Sequence, residues 1–180
     1  MKWIKCRIAD LGDVVGGATP STRDSSNYEG GTIPWITPKD LTNFQGKYLQ
    51  RGERMITSKG YESCSTQLLP IGSVLFSSRA PIGYIAIAQN DLCTNQGFKS
   101  VVPNVNTDSE FLFYLLKYHT PALQGLGSGT TFPEISGKVL KEFIVKIPEQ
   151  KTDQQKLIKP LIVLDRKIAL NNQINDYLVN

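Results

Sequence analysis

All 15 glycines of this 180-residue chain precede Pro148, and none follows it. That asymmetry divides the chain into two materials. Up to Ile147, glycine and proline punctuate short apolar runs, the texture of strands joined by turns. Beyond Pro148 the apolar residues take helical spacing instead. Leu157, Leu161, Leu164 and Ile168 alternate steps of four and three, and Asn171, Asn175 and Leu178 continue the rhythm. Such a heptad seam, with asparagines at core-type positions, is what one helix presents to another. The expected fold class is therefore α+β: a compact mixed domain over residues 1–147, then a long helix over residues 148–180 that pairs as a coiled coil.

The helix should begin near Asp153, because Thr152 and Gln155 have capping-box spacing. From there to Asn180 it would be about 40 Å long at about 1.5 Å per residue. Pro160 lies inside it and should kink it or split off its first two turns, since proline removes a backbone donor. The apolar stripe also includes Ile158 and Ile162, so it is wider than one seam. It can fold back on its own domain or pack against a helix of a second chain; the second is the expectation. Within the first domain, residues 73–79, 83–88, 98–102 and 143–147 read as strands. Residues 108–118 read as a helix closed by Pro121, and residues 136–140 as a short helical turn.

Several function classes fall away on composition. No apolar run approaches the roughly 18 residues of a membrane span, and no apolar h-region follows the charged N-terminus. Cys6, Cys64 and Cys93 are far apart, as in reduced cytosolic proteins, so a cytoplasmic location without a disulfide framework is expected. The single histidine, His119, reads as a helix-end or partly buried residue rather than a base. Gly137-Lys138 is not a P-loop: Val139 stands where Ser or Thr must bind magnesium, and Phe132 where a glycine is required. The glycines at 125, 127 and 129 fail the dinucleotide pattern, because Thr130 takes its third place. No Asn/Asp-Pro-Pro-aromatic loop for base methylation is present. Glu149-Gln150-Lys151 has the spacing of a metal nuclease, but no acidic partner on a preceding strand accompanies it. No cofactor or metal is expected.

Binding remains. The net charge is +4 and the pI is about 8.9, which permits a polyanionic partner without demanding one. Between residues 39 and 59, Lys39, Lys47, Arg51, Arg54 and Lys59 outnumber Asp40 and Glu53; this stretch suits phosphates or a solvated surface equally. Small polar turns with interspersed cations suit nucleic acid, because small residues let amides approach phosphates while Arg reads guanine with two bonds. The candidates are Thr37 and Lys39; Ser77, Ser78 and Arg79; Asn95 and Gln96; and Ser128, Thr130 and Thr131. Each also has an ordinary reading as a turn or cap. A small nuclease using Glu149 and Lys151, and a module binding carbohydrate or protein, remain as alternatives.

Residues 11–20 (LGDVVGGATP), 33–41 (IPWITPKDL), 72–83 (GSVLFSSRAPIG), 94–99 (TNQGFK), 127–135 (GSGTTFPEI), 144–148 (IVKIP) and 164–172 (LDRKIALNN) occur in this order. Together they resemble a target-recognition domain and spacer helix of the specificity subunit of type I restriction-modification enzymes, over nearly the whole chain. The resemblance implies a non-catalytic subunit that binds one half of a bipartite target in double-stranded DNA. It implies docking to a methyltransferase subunit and, through it, to a restriction subunit. Family subunits usually carry two recognition domains whose helices pair antiparallel; this sequence shows one of each. Leu157, Leu161, Leu164, Ile168, Asn171, Asn175 and Leu178 would then pair in a homodimer or with a second half-subunit.

Overall fold

A computed structural model describes residues 1–129 and 133–179 of the chain, and their side chains except those of residues 176, 178 and 179. The strands and helices, in chain order, are β1 (Trp3–Arg7), β2 (Gly12–Gly16), β3 (Ile33–Ile36), β4 (Tyr48–Leu49), β5 (Arg54–Ile56), α1 (Ser58–Glu62), β6 (Val74–Phe76), β7 (Ile85–Ala88), β8 (Cys93–Thr94), β9 (Lys99–Pro103), α2 (Ser109–Gly125), α3 (Gly137–Glu142), β10 (Ile144–Pro148) and α4 (Lys151–Val179). The class is α+β, with a long C-terminal helix.

Three sheets organise the described residues. The largest has the order β2-β9-β6-β7-β4, a second has β5-β3-β8, and β1 pairs with β10 alone. β6 is buried at every position, and Val74 lies opposite Ile87 of β7 and Val101 of β9. α2 covers this sheet with Phe111, Leu112, Leu115 and Leu116, all buried in one cluster with Val74, Phe76 and Ile87. In β10 burial alternates along the strand, so Val145 and Ile147 face the same core while Ile144 and Lys146 face out.

That core extends into α4. Ile158 is 3% exposed and belongs to the main cluster, and Ile162 packs against its edge. Gln154, also buried, accepts a bond from the Asp108 amide (3.0 Å) and donates to the carbonyls of Asn106 and Pro148 (3.3 Å each). A buried amide with both its oxygen and its nitrogen bonded is a specific tie; it holds the root of α4 to the start of α2 and the end of β10.

Three expectations need correction. α4 begins at Lys151, before Thr152, and Gln155 donates to the Asp108 carboxylate (2.9 Å) rather than closing a capping box. The helix also runs past Pro160 as one element, so its first turns are not split off. Pro160 and Lys156 are both exposed, so water can serve the carbonyl that proline leaves unbonded. Likewise α2 continues through Pro121 to Gly125. Leu123 is wholly buried and Gln124 donates to the Ile82 carbonyl (2.9 Å). Burying one leucine is worth roughly 1.5–3 kcal/mol, comparable to the roughly 3 kcal/mol cost of an interior proline.

Candidate nucleic-acid interface and helix face

The small polar segments that lie far apart in sequence meet in space. Pro38, in the turn after β3, lies beside the loop after β8, where a Cβ on Gly97 would stand 2.8 Å from the Pro38 ring. The same loop meets the β6–β7 turn, since the Ser78 amide donates to the Gly97 carbonyl (2.8 Å). Ser78 in turn accepts from the Ile135 amide (3.0 Å), which brings in the segment before α3, and Ser128 bridges to Glu134. Residues 17–19 close the ring. The Ala18 amide donates to the Thr94 carbonyl (3.1 Å), and the Thr19 hydroxyl bonds the Gln96 amide oxygen.

Glycine is required where residues 17–19 approach. A Cβ on Gly17 would fall 2.1 Å from the Thr94 carbonyl oxygen and 2.3 Å from that of Asn95. Both are backbone atoms, so no side-chain adjustment relieves the overlap.

Within this cluster the candidate residues differ in what they offer. Gln96, Lys39 and Ser128 are exposed. Thr37 is half-buried; its amide and hydroxyl both donate to the Asp40 carboxylate (2.7 and 2.8 Å), fixing the turn. Asn95 accepts from the Gly97 amide (2.9 Å), shaping its own loop. Lys39 pairs with Glu53 (2.8 Å). Arg79 and Lys99 share Glu134, each at 3.5 Å, which leaves this trio with one net positive charge. Ser77 and Ser78, expected to face DNA, are fully buried. The Ser77 hydroxyl donates to the Pro81 carbonyl (2.7 Å) and accepts from the Tyr84 amide (2.8 Å), while that of Ser78 donates to the Gly97 carbonyl (3.2 Å). Both hydroxyls therefore brace loops. Thr130 and Thr131 lie outside the described residues.

α4 divides its apolar stripe between two faces. Ile158 and Ile162 turn inward, whereas Leu157 and Leu161 (42% exposed each), Leu164 (55%) and Ile168 (59%) face solvent. Asn171 and Asn175 continue on the exposed side; the side chain of Leu178 lies outside the description. What clamps the inward face midway is Lys47. Its ammonium, on a side chain only 11% exposed, bonds Asp165 of α4 (2.8 Å), and Glu110 (3.1 Å) and the Tyr114 hydroxyl (2.7 Å) of α2. Burial alone would discharge Lys47, but the bonds to Asp165, Tyr114 and Glu110 outweigh it and raise its pKa. Burial would likewise raise the Asp165 carboxyl, yet the Lys47 and Tyr114 bonds hold it below its usual value. Tyr48 is about half exposed; partial loss of hydration and its bond to Glu110 (2.8 Å) push its pKa up to about 12.

Residues 1–179 match the family described as Type I restriction modification DNA specificity domain. The chain is 46% identical over 178 residues to the type I restriction enzyme MjaIX specificity subunit of Methanocaldococcus jannaschii, covering 98% of this chain and 41% of that one. The chain belongs to the type I restriction-modification DNA specificity domain family. The Escherichia coli EcoR124I/EcoR124II specificity subunit is 27% identical over 178 residues, covering 95% of this chain and 42% of the relative. This specificity domain thus spans about two fifths of those relatives' lengths. The crystal structure of the HsdS subunit from Thermoanaerobacter tengcongensis superposes with a TM-score of 0.70 at 22% identity, over 96% of this chain and 39% of that one. A chain from a study of type I R-M complex assembly and conformational transition gives 0.73 at 24%, over 98% and 41%. At those identities the likeness is one of fold.

Other residue groups of the specificity domain have structural employment. Glu149 pairs with Lys2 (3.1 Å) and Lys151 donates to the Val105 carbonyl (3.2 Å), so the E-x-K tripeptide does not converge on a common point. Among the described residues no group of three or more His, Cys, Asp or Glu is placed to hold a metal, and no helix is long and apolar enough to cross a membrane. His119 packs edge-on against Phe143 (5.3 Å between ring centres), and burial lowers its pKa. Sequence reasoning passed over Thr19, Lys99, Glu134 and Lys47 as site residues. Thr19, Lys99 and Glu134 lay inside segments already singled out, and Lys47 in the basic stretch; the contacts of Glu134 and Lys47 reach partners 35 to 118 positions away, which spacing cannot reveal.

Proposed function

We propose that this chain is a DNA-reading part of a type I restriction-modification specificity subunit, without catalysis of its own. It reads one half of a bipartite duplex target through the cluster formed by residues 17–19, 37–40, 78–80, 94–99, 128–129 and 133–135. It docks a methyltransferase subunit and, through it, a restriction subunit. The observation that carries this reading is the convergence of those polar segments onto one patch in a chain of this family. Rigid sheets beneath such loops hold donors in fixed register, which base reading needs. The exposed seam of α4 pairs with a second helix of the same kind, in another copy of the chain or in another recognition domain.

The test is selection from a pool of duplexes by the chain assembled with its methyltransferase subunit. One short motif should be enriched, with affinity falling as salt rises. Equal binding of all sequences would refute the reading. Incubation with plasmid and magnesium separates the nuclease alternative: intact plasmid supports a reader, and cleavage lost on Glu149→Ala would replace it with an enzyme.

A further inference from the structure

The geometry points to Arg54 as a sequence-reading side chain that contacts a guanine in the duplex. This inference rests on the DNA-reading function proposed above and names a residue outside the candidate cluster. Arg54 opens β5 and lies in register opposite Trp35 of β3, which is itself in register with Cys93 of β8. One residue beyond β8 the candidate loop begins with Asn95. Trp35 also donates to the Ala18 carbonyl (3.0 Å), so the aromatic base under Arg54 is bonded directly to the segment that reaches Gln96.

The guanidinium is held without being neutralised. Its central carbon lies 4.3 Å from the Tyr28 ring centre and 5.8 Å from that of Trp35. Tyr28 is fixed in turn by its hydroxyl, which donates to the Pro20 carbonyl (2.6 Å), and by an edge-on contact with Trp35. Of the other cations of this stretch, Lys39 pairs with Glu53, Lys59 with Asp24, and Lys47 with Glu110 and Asp165. Arg51 is exposed and, among the described residues, lies over no aromatic ring, so it lacks the support that orients Arg54. Arg79, the arginine the sequence suggested as reader, is engaged by Glu134. Arg54 remains exposed, and among the described residues it has no ion-pair partner.

An arginine stacked on aromatic faces keeps its planar fork of donors while losing conformational freedom before the partner arrives. Guanine O6 and N7 accept two parallel bonds from such a planar fork. A lysine can reach the same edge, but as a mobile point charge that neither stacks on the rings nor holds a fixed fork, so it reads the base less selectively. A phosphate would accept the charge equally from either residue and would convey no sequence information. These chemistries separate the two roles.

The experiment compares wild type, Arg54→Lys and Arg54→Ala, each assembled with the methyltransferase subunit, in duplex selection and in competition binding against single-base variants of the selected motif. Arg54→Lys keeps the charge and should keep its melting temperature, so it remains informative if Arg54→Ala folds poorly. The expected result is loss of preference for guanine at one position, by about 5- to 150-fold in Arg54→Ala and by a smaller factor in Arg54→Lys, with the remaining positions unchanged. An unchanged motif in Arg54→Ala, or in Arg54→Lys where Arg54→Ala does not fold, overturns the inference. So does a uniform loss across all sequences in Arg54→Ala with a shallower salt dependence, the signature of a phosphate contact. A wild-type complex that selects no sequence removes the DNA-reading proposal itself, and this inference with it.

Discussion

Replacing Lys47 with methionine should loosen α4 from the rest of the protein. The substitution keeps the apolar stem and removes the ammonium that joins Asp165 to Glu110 and Tyr114. Removing one partner of a fully buried ion pair costs about 3–5 kcal/mol, and an exposed pair contributes about 0–1 kcal/mol. Here Lys47 is 11% exposed, but Glu110 is 27% and Asp165 40% exposed. Water therefore screens the two carboxylates left behind, and a loss of about 2 kcal/mol is expected, between those limits. For a chain of this length that lowers the melting temperature by about 4–8 °C, measured by circular dichroism at neutral pH. A double-mutant cycle with Asp165→Asn isolates the link to α4, and a coupling of about 1 kcal/mol is expected. Melting of Lys47→Met within a degree of wild type, or strict additivity with Asp165→Asn, would refute the clamp.

The same clamp should be acid-sensitive. Asp165 has a folded pKa below its usual value, so its contribution is present above about pH 4 and lost as pH falls through the lowered value. The gap in melting temperature between wild type and Lys47→Met should therefore narrow from pH 6 to about pH 3; a widening gap contradicts it. The two faces of α4 should respond differently to truncation. Ile158→Ala removes a side chain 3% exposed and should cost about 2–4 kcal/mol in a denaturant titration. Leu161→Ala, at 42% exposed, should cost the isolated chain under about 1 kcal/mol while weakening association in a concentration series by sedimentation. Gly17→Ala forces a Cβ onto two backbone carbonyls and should destabilise by about 3 kcal/mol, read in the same titration; a loss under half that amount would show that residues 17–19 are free to move away.

What the sequence disclosed follows from the range of the forces involved. The period of α4 was legible because its apolar residues recur within one helix, and the seam from Leu157 to Ile168 needs no knowledge of the rest of the fold. The split between that seam and Ile158 was not, since it depends on where α2 and β10 come to lie. β6, β7, β9 and β10 stood out as β-branched or apolar runs bounded by glycine, proline or polar turns. β4 and β8, of two residues each, exist only through their partners across the sheet and carry no local pattern. Pro121 and Pro160 were overvalued as breakers because their exposure, and the burial of Leu123, are tertiary facts. Ser77 and Ser78 were chosen for chemistry that suits DNA, and the same chemistry lets them satisfy buried backbone groups. The clustering of the other polar turns required the long-range pairings of the three sheets.

Amide hydrogen exchange of the chain assembled with the methyltransferase subunit proposed as its partner, with and without the selected duplex, tests most directly the proposed DNA-reading surface. Slower exchange should fall on residues 17–19, 37–40, 78–80 and 94–99, with β1, β10 and the root of α4 unchanged. Protection confined to β1, β10 or the α4 root, with those loops exchanging as before, would contradict the account.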